Sequence, residues 1–324
     1  EAIDSLRRAG LRALILDLRW NPGGLLDEGV QVADLFLDPG QEVVATRGRA
    51  PNTTRRYTDQ APQRFADLPV VVLINGASAS ASEIVAGALQ DHDRAVIVGT
   101  TSFGKGLVQS LIRLNADASL KITTSKWYTP SGRSIQRPFR DGEERDPDEE
   151  RPAGADSARA PVDSFRTQRG RPVRGGGGIA PDVVVRPDSA ETAARLLLQQ
   201  ALGRHVVKYT DAVAAFALDA RARRAVQSPL FTVTPAMRQQ LLELLRQRGV
   251  TLDHSVTDGA WPFIERQLAS QTARFVFGRA GEVRRQAQDD PVLATALRLA
   301  ARARTPAELF QLAGQAMAPA APRP

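Results

Sequence analysis

The chain has 324 residues, 42% of them hydrophobic, which is long enough for two domains with a packed core. There is no cysteine, which excludes thiol nucleophiles and thiolate metal sites, and none of the three histidines, His92, His205 and His254, stands at metal-ligand spacing. The net charge of +7 would permit acidic partners, but the arginines are spread through the chain and aromatic residues are few, so no nucleic-acid stripe is read; no apolar run approaches the roughly 18 residues of a membrane span.

In chain order, residues 1 to 9 read as the end of a helix with Ile3, Leu6 and Ala9 on one face, stopped at Gly10. Glu1 in place of an initiator methionine gives the expectation that further sequence precedes it. Ala13 to Leu18 is a buried strand, and Asn21-Pro22-Gly23-Gly24 turns into a helix over about 26 to 37. A strand from Glu42 to Arg47 follows Asp38-Pro39-Gly40, and the polar, Arg-rich stretch 48 to 64 reads as a surface hairpin or loop.

The centre of the chain is residues 70 to 109. Val70 to Ile74 is a β-branched and aliphatic run short enough to be a strand buried on both faces. It stops at Asn75-Gly76, and Ala77-Ser78-Ala79-Ser80-Ala81-Ser82-Glu83 then leads into Ile84 to Leu89, whose small residues suit a helix packed close to a sheet. Ser80-Ala81-Ser82-Glu83 is a capping box, so Ser80 has a plain structural role open to it. A serine at a strand-to-helix turn also has its hydroxyl beside free backbone N–H groups and the positive end of the helix dipole. Negative charge developing there would be stabilised.

Only four of the 43 basic residues are lysines, yet one of them, Lys105, sits between glycines in Phe103-Gly104-Lys105-Gly106. Arginine stays protonated in proteins, whereas a buried lysine can lose its proton and serve as a base. With no cysteine and no histidine in a Gly-rich turn, lysine is the natural base for a serine nucleophile here.

Beyond the centre, Leu107 to Leu114 and Leu120 to Trp127 read as a hairpin. Residues 137 to 177 are charge-rich and poor in apolar residues, a composition read as a mobile or loosely packed insertion. Val183 to Val185 returns to the sheet. From Pro187 the texture is helical: Ala190 to about Lys208, Asp211 to Val226, Ala236 to Gln247, a helix introduced by Gly259-Ala260-Trp261-Pro262 that runs to about Phe277, and two more opened by Pro291 and by Thr305-Pro306.

Three blocks resemble the signatures of the C-terminal processing peptidases, also called tail-specific proteases. They are Leu16-Asp17-Leu18-Arg19-Trp20-Asn21-Pro22-Gly23-Gly24, Asn75 to Ile84, and Val98 to Gly106, with further matches at Lys126 to Arg133 and Gly178 to Asp182. The resemblance covers about residues 1 to 186. It implies an α/β, ClpP/crotonase-like catalytic core over 1–186, here followed by an α-helical C-terminal domain over 187–324. It implies a serine endopeptidase with Ser80 as nucleophile, Lys105 as base and Gln109 orienting the lysine. The oxyanion hole would be the N–H groups of Gly24 and Ala81, and no metal or cofactor is implied. Substrates would be proteins or peptides, cut near their C-termini and outside the cytoplasm, in the periplasm or cell envelope. A PDZ domain upstream is a partner the resemblance leaves open, and no nucleic acid is implied. The helical portion matches no motif; it could dock on the core, form a homo-oligomer contact or limit access to the site.

Other readings stand beside this one: a non-catalytic peptide-binding relative, a crotonase-like enzyme acting on a thioester, and a nucleotide hydrolase. The last arises because Gly99-Thr100-Thr101-Ser102-Phe103-Gly104-Lys105 fits the phosphate-loop pattern. Against it, Gly106 stands where that loop needs Ser or Thr for the metal, and a hairpin follows where a helix should.

Overall fold

The computed structural model describes residues 1–115, 117–138, 164–186 and 189–317. In chain order, α1 (Ala2–Arg8) leads to β1 (Leu14–Asp17), α2 (Leu26–Asp34) and a hairpin of β2 (Glu42–Gly48) and β3 (Arg55–Thr58). Then come β4 (Val70–Ile74), α3 (Ala81–Asp91), β5 (Val96–Gly99) and a second hairpin of β6 (Leu107–Arg113) and β7 (Ser119–Tyr128). A third hairpin, β8 (Ser164–Arg166) and β9 (Pro172–Arg174), precedes β10 (Val183–Val184).

Every residue of β4 is buried, as a Val/Ile/Leu run covered on both faces requires. The strand order is β1-β4-β5-β10, all parallel, with Leu14 opposite Val70, Val71 opposite Val96 and Val98 opposite Val183. A second sheet, β3-β2-β7-β6, is antiparallel. Between the strands, α3 is buried along its whole length, which its small residues allow. At Gly87 an added Cβ would stand 3.0 Å from both Ile179 Cδ1 and Thr129 Cγ2, so alanine there would already press on its neighbours. Because β1, β4 and β5 are parallel, the loops leaving them open on the same edge of the sheet, where α/β proteins place their sites.

The expected loose insertion over 137–177 is corrected in its second half. Residues 164–174 form the β8–β9 hairpin, with Val173 buried, and residues 139–163 lie outside the described residues. What holds the hairpin is charge rather than apolar area: Arg171 bonds Asp93 and Asp182, each at 2.5 Å, and its guanidinium lies 4.7 Å from the centre of the Phe310 ring. Nearby, fully buried Arg133 pairs with Asp91 at 2.7 Å and bonds Gln90 Oε1 at 2.7 Å.

At the edge of this core, Asp34 Oδ1 and Asp59 Oδ2 are buried with no hydrogen-bond partner among the described residues. Burial, and then the charge of Asp59, push the Asp34 carboxyl up to about 6. A raised acid favours the neutral form in the fold, so its contribution is present below its ordinary pKa and lost as pH rises through about 6. Asp34→Asn is therefore expected to stabilise the protein at pH 7 by about 1 kcal/mol, after discounting for solvent at this half-buried group, and to do nothing at pH 4. Melting temperatures at the two pH values check it; equal shifts at both would contradict the linkage.

The chain divides into two compact units, Glu1–Val185 with Thr295–Pro324, and Arg186–Ala294. The second contains α4 (Ser189–Leu202), a 3-10 turn (Gly203–His205), α5 (Val206–Ala222), α6 (Pro235–Gln247) and α7 (His254–Asp289). Leu198, Phe216, Leu241, Leu245, Ile264 and Leu268 lie in its core. Thr234 caps α6 by accepting the Met237 N–H at 3.3 Å, with Pro235 at the first helical position. Gly203, at φ 46, ends α4 earlier than expected, and α7 starts at His254 and carries Pro262 inside. Gly278, at φ 72, breaks its helical course. The C-terminal helices α8 (Pro291–Arg302) and α9 (Pro306–Met317) complete the described chain. Against the expectation of one helical domain over 187–324, α9 packs on β5 and β10 and belongs to the first unit.

Candidate active site

Three loops leave the carboxyl edge of the parallel sheet: residues 18–25 after β1, 75–80 after β4 and 100–106 after β5. The first two are tied together. Ser78 Oγ donates to the Leu18 carbonyl at 2.8 Å, the Trp20 N–H donates to Asn75 Oδ1 at 3.1 Å, and the Asn21 carbonyl accepts from Ala79 N–H and Ser82 Oγ, both at 3.1 Å.

These bonds separate the three serines of the repeat. Ser78 and Ser82 are buried and their hydroxyls hold the loops, whereas Ser80 is partly exposed at the start of α3. Its backbone sits at φ 54, ψ −117. An ordinary N-cap residue is extended, with negative φ, so capping alone does not call for this conformation. Such strain costs about 1–3 kcal/mol and gathers at functional sites. The sequence leaves Ser80 both roles, and a cap alone does not account for this backbone.

Gly23 is what lets the two loops meet. At φ +88, its missing Cβ would fall 2.4 Å from the Ala79 carbonyl oxygen and 2.6 Å from Ala81 N. Gly24, the glycine singled out from the sequence, has open space around it instead. Among the described residues, no protein acceptor takes the N–H of Gly24 or of Ala81. Gly23→Ala is expected to push the Ser80 turn out of place and reduce any activity of the site by at least about 100-fold, since displacements near 1 Å have that effect. Initial rates check it; a folded Gly23→Ala protein with normal rates would contradict it.

The third loop carries Lys105, which is half-buried. Its N–H donates to Glu83 Oε2 at 2.9 Å and its carbonyl accepts from Trp127 Nε1 at 3.0 Å. The Ser80 N–H donates to that same Glu83 oxygen at 2.9 Å. One carboxylate oxygen thus holds the backbone of both residues. Gln109 lies on β6, opposite Thr123 and just beyond a bulge that follows Val108.

The phosphate-loop reading fails on this geometry. The amides of Ser102, Phe103, Gly104, Lys105 and Gly106 donate to Ile179 O, Ser78 O, Glu83, Glu83 and Gln136 respectively, which leaves none of the five to cradle a phosphate. A strand, β6, follows where that motif needs a helix.

A family model for peptidase family S41 matches residues 1–150, which contain all three loops. Residues 1–150 are a peptidase family S41 domain. A carboxy-terminal-processing protease of Bartonella bacilliformis is 56% identical over 126 residues, 39% of this chain and 29% of that protein. A carboxyl-terminal-processing protease of Picosynechococcus sp. is 43% identical over 137 residues, 42% of this chain and 32% of that one. The chain thus spans about a third or less of the length of these relatives. Among solved structures it is similar to a photosystem II D1 C-terminal processing protease, at 29% identity and a TM-score of 0.41, over 59% of this chain and 39% of the other.

Two residues of the S41 domain that hold the site were not read from the sequence as such. Glu83 was visible only as the last member of a capping box, and Trp127 only as part of a motif after the lysine. Nothing in the spacing signals that the Trp127 indole reaches back 22 residues to the Lys105 carbonyl.

Proposed function

We propose that this protein is a serine endopeptidase that cuts protein substrates near their C-termini, with a ClpP/crotonase-like core and a Ser80–Lys105 dyad. The observation that carries the reading is the strained Ser80, presented at the N-terminus of α3 with its backbone held on the same carboxylate oxygen as that of Lys105. Ser80 Oγ attacks the substrate carbonyl as Lys105 Nζ takes its proton, and the lysine then gives that proton to the leaving amine. Water hydrolyses the acyl-enzyme by the reverse route. The N–H groups of Gly24 and Ala81, fixed before the reaction begins, hold the oxyanion. Gln109 orients the lysine. By the family resemblance, the protein works outside the cytoplasm.

Incubation with a reduced, unfolded protein, followed by mass spectrometry of the products, tests the reading. C-terminal fragments that appear with the unaltered chain and are missing with Ser80→Ala support it. An intact substrate with both proteins, or equal cleavage by both, overturns it.

A further inference from the structure

Glu83 does more than the capping box asks of it. A capping-box glutamate reaches back to one amide, that of the N-cap residue. Here the carboxylate is wholly buried and takes four donors. Oε2 accepts the N–H of Ser80 and of Lys105, both at 2.9 Å. Oε1 accepts the Gly104 N–H at 2.7 Å and the Ser102 hydroxyl at 2.5 Å. Ser102 Oγ in turn accepts the Ile179 N–H at 2.6 Å, which turns its own proton toward Glu83.

Burial is the largest influence on Glu83 and leaves its pKa raised, with the Ser102 hydroxyl and the three amides opposing it. The three amides cannot turn round and can only donate, so three of the four positions around the carboxyl group call for an acceptor. The group they fit is the carboxylate.

Resting on the peptidase reading above, we propose that Glu83 is a positioning residue, a buried carboxylate that fixes the nucleophile turn and the lysine loop at one working separation. It touches no reacting atom. The two loops come from different strand ends and the described residues offer no other single group bonded to both the Ser80 and Lys105 amides.

Glu83→Gln tests this. One amide oxygen can serve one pair of donors, and its NH2 then faces the other pair donor to donor. Turnover of a peptide substrate is expected to fall about 100-fold with KM within about twofold, because misplacement of the reacting groups lowers the chemical step and leaves substrate contacts alone. Labelling of Ser80 by a fluorophosphonate, which needs the dyad but no peptide contacts, is expected to slow in parallel. A folded Glu83→Gln protein with normal kcat, beside an active unaltered chain, overturns the proposal and leaves the peptidase reading standing. An unaltered chain that neither cleaves nor labels overturns the peptidase reading, and this role with it. Should Glu83→Gln not fold, amide exchange in the unaltered chain decides: protection of the Ser80, Gly104 and Lys105 amides like that of β4 supports the role, and exchange as fast as exposed loops overturns it.

Discussion

Lys105→Arg is expected to reduce peptide cleavage by at least about 1,000-fold in a protein that remains folded. The substitution keeps the positive charge and removes the only feature that matters to the proposed chemistry, a nitrogen able to give up its proton at ordinary pH. Three bonds that hold this loop run through backbone atoms the substitution leaves in place: the Lys105 N–H on Glu83, its carbonyl on Trp127, and the Gly106 N–H on Gln136. Ser80→Ala should give a loss of the same size, and the double substitution should be no worse than either alone, since the two side chains act as one unit. Ser78→Ala is the contrast. Its hydroxyl bonds the Leu18 carbonyl and accepts the Asn75 N–H, so its removal leaves the chemistry in place and destabilises the fold by about 1–3 kcal/mol. Initial rates on an unfolded protein, with circular dichroism to confirm folding, check all four. Substantial cleavage by folded Lys105→Arg would contradict the lysine's role as base.

Asp91→Ala is expected to be the most damaging substitution for stability, at about 3–5 kcal/mol. Asp91 and Arg133 are both buried, and the aspartate also accepts the Ser131 N–H at 3.0 Å, so its loss leaves a guanidinium inside the protein without its counter-charge. Arg133 Nε already has no partner among the described residues, and burial already pulls the Arg133 pKa down. For a unit of this size the melting temperature should fall by roughly 10 °C. Arg133→Met in the Asp91→Ala background should recover part of the loss, because it removes the stranded charge and keeps apolar volume. Thermal unfolding of the single and double variants measures this. A single variant that melts within about 2 °C of the unaltered protein would show that the pair is not what holds this end of α3.

What was legible in the sequence was what local patterns control. The apolar run Val70 to Ile74, the small residues of α3 and the Asn75-Gly76 stop all depend on neighbours in the chain, and β4 and α3 stand where those patterns put them. The strand-turn-helix setting of Ser80 was readable for the same reason. What was not readable depends on residues far apart. The β8–β9 hairpin reads as loose chain because it has few apolar residues, but Arg171, Asp93 and Asp182 hold it through charges that only the fold brings together. Gly23 and Gly24 look alike in the sequence; only the structure shows that a side chain at Gly23 would collide with the serine turn, whereas one at Gly24 would not. Glu83 looked like an ordinary cap because three of its four donors lie 19 to 22 residues downstream.

In the proposed mechanism Ser80 is the nucleophile and Lys105 its base. Treatment of the folded chain with a fluorophosphonate, followed by peptide mapping, tests it most directly. A single adduct on Ser80 is expected, with none on the buried Ser78 or Ser82 and a labelling rate that collapses in Lys105→Arg. An adduct on another serine in place of Ser80, or labelling of Ser80 at an unchanged rate in folded Lys105→Arg, would contradict it.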